Sequence, residues 1–124
     1  MHSSHSEAYR ENQKTALTDR QLEATVLMKA AALLKRCQAN WDAADRDQQL
    51  EKALKYNQLL WSFFQTALAN PDNPLPRKLK EDILKLSLFV DQRIFEIISY
   101  PSPEKISVII DINTNIAEGL RGNA

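Results

Sequence analysis

Few side chains in this sequence could do chemistry, and their positions decide what class of work the chain performs. The two histidines, His2 and His5, lie within the first five residues. A metal site needs three or four ligands held in fixed geometry, which two imidazoles beside a chain end do not supply. The single cysteine, Cys37, has no further histidine available to activate it as a nucleophile. It falls in the middle of an apolar stripe, where a free thiol behaves as a small hydrophobe. No glycine precedes Gly119, so there is no glycine-rich loop to cradle a phosphate. Acidic residues are scattered over helix surfaces, at spacings that give weak i,i+4 ion pairs and no paired-carboxylate site. The chain is therefore expected not to be an enzyme and to hold neither a metal nor a cofactor.

Two asparagines are better placed. Asn57 projects between Ala53, Trp61 and Phe64, and Asn113 between Ile109, Ile110, Ile116 and Ala117. Stranding a buried amide costs about 1–3 kcal/mol, so each needs partners. One reading is an internal hydrogen bond, for instance between these two side chains, that fixes helix register. The other is that the amides are offered to a bound peptide.

The totals bound what can surround these residues. With 124 residues the chain suits one domain. Sixteen basic residues balance sixteen acidic ones. That leaves no basic stripe for duplex nucleic acid and no polybasic membrane anchor, so direct nucleic-acid binding and membrane association are not expected. One cysteine excludes an intramolecular disulfide. The opening residues MHSSHSEAYRENQ lack the apolar core of a signal peptide, and no apolar run approaches the length of a membrane span. A cytoplasmic location is expected.

The elements that position these side chains read as helices. Both glycines lie near the C-terminus, and the five prolines cluster at Pro71–Pro76 and Pro101–Pro103. Residues 1–17 form a flexible or short-helical segment, and residues 18–124 a single helical domain. A Thr18-x-x-Gln21 capping box starts a helix whose apolar stripe runs from Leu22 through Val26, Leu27, Ala30, Leu33, Leu34 and Cys37 to Trp41. A second helix spans about Asp47 to Asn70, with a broad apolar face including Leu50, Leu54, Trp61, Phe64 and Leu68. Prolines separate it from a third helix running from Pro76 to about Ser99. Ser102 and Pro103 cap a fourth, which carries Ile106, Ile109, Ile110, Ile116, Ala117 and Leu120. The fold class expected is all-α, a small bundle of four main helices with room for a short fifth at the N-terminus.

The third helix has two apolar stripes. Leu79, Ile83, Leu86, Val90, Ile94 and Ile97 form one, and Leu84, Leu88 and Phe95 form another on nearly the opposite side. Together with Leu59 and Phe63 on the preceding helix, the second stripe is a candidate partner-binding surface. The competing reading is that the helix is sandwiched between two others and needs no partner. If a partner exists, helix-in-groove docking is its natural mode.

In order and spacing these segments resemble the bacterial flagellar biosynthesis regulator family FlaF. The matching features are Ala8-Tyr9, Arg20-Gln-Leu-Glu-Ala24, the alanine-rich Leu27–Leu34 and Tyr56-Asn57-Gln-Leu-Leu-Trp61. They continue with Leu68-Ala-Asn-Pro-Asp-Asn-Pro-Leu-Pro76, Ile83–Asp91, Ile110-Asp-Ile-Asn-Thr-Asn-Ile-Ala117 and Gly119-Leu120. The resemblance implies a helper in flagellum assembly that modulates flagellin synthesis and supports flagellin export, alongside a second regulator, FlbT. Its implied partner is flagellin, whose amphipathic terminal helices a chaperone would cover. Two alternatives accompany that reading, a regulator acting on flagellin messenger RNA and a structural adaptor working with FlbT. The resemblance carries over no catalytic residue.

Overall fold

Proline and asparagine chemistry sets the helix boundaries. In a computed structural model of the chain, four helices follow in order: α1 (Ser4–Ala39), α2 (Arg46–Ala69), α3 (Arg77–Ser99) and α4 (Pro103–Leu120). The structure describes residues 4–122, and side chains from residue 20 onward. α1 runs unbroken from Ser4 through Thr18, so the helix start read at Thr18-x-x-Gln21 is not a boundary; His2 and the side chains of residues 4–19, His5 and Thr18 among them, lie outside the described residues. Among the described residues there is no strand, and the protein is an all-α bundle of four helices.

The turn between α2 and α3 is built by two asparagines. Asn70 Oδ1 accepts from the Asp72 amide at 2.9 Å, and Asn73 Oδ1 accepts from the Leu75 amide at 3.0 Å. Asn73 Nδ2 also donates back to the Ala67 carbonyl at 3.2 Å, closing the end of α2. Such Asx turns compete with helix continuation and end it. Pro76 then takes the cap position of α3, one residue earlier than the first-turn place its ring geometry suggests. At α4 the order is as read from the sequence, with Ser102 extended at the cap and Pro103 opening the helix. The Ser102 hydroxyl makes no cap bond. Gly122, at φ 77°, turns the chain out of α4, with its amide on the Gly119 carbonyl.

Each helix packs against its chain neighbour, and α4 closes the ring onto α1. The start of α4 meets the end of α1, where Gln38 Nε2 donates to the Pro103 carbonyl and to Ser107 Oγ, both at 2.8 Å. Among the described residues α1 and α3 stand diagonally apart, as do the backbones of α2 and α4. Leu27, Leu34, Trp61, Val90, Ile97, Ile106 and Ile109 fill the space between the helices, each fully buried. Leu22, placed on the core stripe by its apolar character, is exposed because it lies roughly 140° around α1 from Leu27.

A core of this kind predicts the cost of truncation. Ile109→Ala should destabilise the protein by about 2–5 kcal/mol in urea unfolding, since it opens a cavity between packed helices. Lys35→Ala, on the wet face of α1, should change stability by less than about 0.5 kcal/mol.

Candidate functional site

The polar residues singled out by sequence meet in the middle of the bundle. Asn57 on α2 and Asn113 on α4 are both fully buried. Asn113 Nδ2 donates to Asn57 Oδ1 at 2.6 Å, and Trp61 Nε1 donates to Asn113 Oδ1 at 2.9 Å. Asn57 Nδ2 in turn donates to the Ala53 carbonyl at 2.8 Å and to the Ala30 carbonyl of α1 at 3.3 Å. The chain of bonds thus ties α1, α2 and α4 together across the diagonal that their backbones leave open. Neither amide reaches the surface. Thr114 Oγ1 and Arg93 Nε are the buried polar atoms without a partner among the described residues.

The five apolar candidate residues divide into two groups. Leu59 and Phe63 on α2 are 72 % and 67 % exposed. They lie roughly 120–160° around the helix from Gln65, the residue that bonds Asp91 of α3. Phe63 borders a small cavity of about 80 Å³ with Phe64, Leu75, Ile83, Ile116 and Leu120, away from the outer flank of α3. On α3, Leu88 and Phe95 are 67 % and 71 % exposed, while Leu84 is only half-buried. The five candidate residues therefore look outward on separate flanks.

Two further residues extend the α3 group. Ile98 and Tyr100 are also exposed, and Ile98 borders an open groove of about 440 Å³ between α2 and α3. Leu50, Leu54, Gln58, Ile97 and Pro101 line the rest of the groove, with Asp47, Glu51 and Lys55 at its rim. The spacing that could have placed Ile98 on this surface was present in the sequence, because residues 84, 88, 91, 95 and 98 alternate by four and three. On the neighbouring flank, centred roughly 100° around the helix, α3 buries Ser87, Val90, Ile94 and Ile97. It packs against both α2 and α4, yet these two neighbours leave Leu88 and Phe95 of the second stripe uncovered.

The single thiol does not take part in this surface. Cys37 is buried in the core, and desolvation pushes its pKa up against the opposing pull of the Arg36 charge. A protonated, shielded thiol is a poor nucleophile. Among the described residues there is no group of histidine, cysteine, aspartate or glutamate side chains suited to a metal ion. No helix there is long and apolar enough to cross a membrane.

Compared with known proteins, residues 5–120 match the model of the family described as "Flagellar protein FlaF". No curated protein and no solved structure matches the chain.

Four outcomes follow from this geometry. Asn113→Ala strands both Trp61 Nε1 and Asn57 Oδ1, so chemical denaturation should show a loss of about 2–4 kcal/mol. A double-mutant cycle with Trp61→Phe should give a coupling above about 0.5 kcal/mol, because the two side chains share one bond. Leu88→Asp and Phe95→Asp, by contrast, should leave the thermal midpoint nearly unchanged, whereas Ile94→Asp should unfold the protein. Cys37 should resist a maleimide at pH 7 in the native protein and react fully once urea opens the core.

Proposed function

The chain belongs to the FlaF family of flagellar proteins, and from that premise we propose that it is a cytoplasmic flagellin-binding chaperone and regulator. It covers an amphipathic flagellin helix and so supports flagellin synthesis and export. It acts by binding and catalyses no reaction. The observation that carries this reading is the outer face of α3, where Leu88, Phe95 and Ile98 stand 67 %, 71 % and 62 % exposed on one helix.

Large apolar side chains grouped on one face of a small protein mark a contact surface, while single ones scattered over it would not. Fully covering one such side chain is worth roughly 1.5–3 kcal/mol. Three of them, each with about two-thirds of its surface still to lose, offset much of the cost of association. Flagellin supplies a matching occupant, because its terminal helices must be kept from pairing with each other before export. The neutral charge balance fits a protein partner better than a phosphate backbone, whose recognition depends on basic contacts.

Size-exclusion chromatography with the flagellin of the same bacterium tests the proposal. The two proteins should co-elute, and amides of α3 and of the facing part of α2 should gain protection from hydrogen exchange. Separate elution together with unchanged exchange would remove the chaperone reading.

A further inference from the structure

The exposed flank of α3, which meets the α2–α3 groove at Ile98, carries a single charge within an apolar stripe. Leu84, Leu88, Asp91, Phe95 and Ile98 follow one another at spacings of four, three, four and three residues, the repeat of a helix that pairs lengthwise with another helix. On α3 they fall within a stripe roughly 80° wide and about 21 Å long. Asp91 is its midpoint and its one charged member. The charges that border the adjoining groove are internally paired. Asp47 lies 2.8 Å from Arg46 Nε, and Glu51 lies 3.2 Å from Lys55 Nζ. Asp91 accepts from the neutral amide of Gln65 at its Oδ2, at 2.9 Å, and forms no ion pair among the described residues.

Resting on the flagellin-binding reading, we propose that this stripe is the docking seam, and that its occupant is a helix of a different protein. That helix carries apolar residues at heptad spacing and a lysine or arginine in register with Asp91. A second copy of this chain is a poor occupant for a physical reason. Because Asp91 sits at the centre of the stripe, pairing two copies over its full length sets carboxylate against carboxylate, whether the helices run parallel or antiparallel. Like charges brought together in a desolvated seam oppose association. A basic residue at the same place completes the hydrogen bonding of the carboxylate that Gln65 begins. The apolar members supply area, and Asp91 supplies register and choice of partner.

Two synthetic 21-residue amphipathic peptides, with leucine at the heptad positions and either lysine or glutamate at the central facing position, test this against the full chain. The wild-type protein should bind the lysine peptide about tenfold more tightly than the glutamate peptide, and Asp91→Lys should reverse that preference. Leu88→Asp should abolish binding of both while the far-ultraviolet circular dichroism stays native. Equal affinity for the two peptides, or an unreversed preference in Asp91→Lys, overturns the proposal, as does a stable dimer in light scattering. Flagellin binding measured in parallel separates the two readings. If flagellin binds and Leu88→Asp does not weaken it, this seam is wrong and the chaperone reading stands. If flagellin does not bind while the charge-swapped peptide preference holds, the seam stands and the partner is another helix.

Discussion

The bundle depends on one buried polar tie. Four apolar helices of this length could slide or rotate against each other at small cost, because leucine, isoleucine and alanine faces are nearly interchangeable in packing. The bond from Asn113 to Asn57, continued by Trp61 and the Ala30 carbonyl, removes that freedom. An amide at 0 % exposure must find its partners, and in the interior a missed bond weighs more than it would in water. Only one registration of α1, α2 and α4 meets all of these requirements. The positions of the surface residues on those three helices follow from that registration.

Because the tie runs through α1, α2 and α4, α3 is held differently from the others. It packs through Ser87, Val90, Ile94 and Ile97 against its two ring neighbours and adds no side chain to the amide chain. Its outer half is left to solvent, with Leu88, Phe95 and Ile98 uncovered. A helix held on one flank by a rigid three-helix frame can present its other flank without destabilising the frame. The packed face and the exposed apolar face of α3 are thereby distinct, which is why an acidic substitution at Leu88 and one at Ile94 are expected to behave so differently.

Much of this was legible in the sequence, and what was not has identifiable causes. The prolines between α2 and α3 marked the boundary because their effect is local, whereas the turns built by Asn70 and Asn73 emerge from the structure. The 3.6-residue period identified the buried faces of α2, α3 and α4, and placed Asn57 and Asn113 within them. Leu22 was misplaced because a single apolar residue at the edge of a stripe satisfies a loose periodicity without touching anything. The grouping of Leu59 and Phe63 with Leu84, Leu88 and Phe95 also mixed two flanks. Apolar excess can be counted on each helix separately, but its direction around the bundle depends on which helices are neighbours. The link between Gln65 and Asp91, which orients α2 against α3, is a long-range pairing that one sequence does not reveal.

The central claim is that flagellin lies along the outer flank of α3. A photo-crosslinking amino acid placed at Phe95 measures this most directly, with the same group at Leu22 as a reference that is similarly exposed but lies on α1. Irradiation with flagellin present should give an adduct from position 95 and none from position 22. An adduct from position 22 alone, or equal yields from both, would contradict the account.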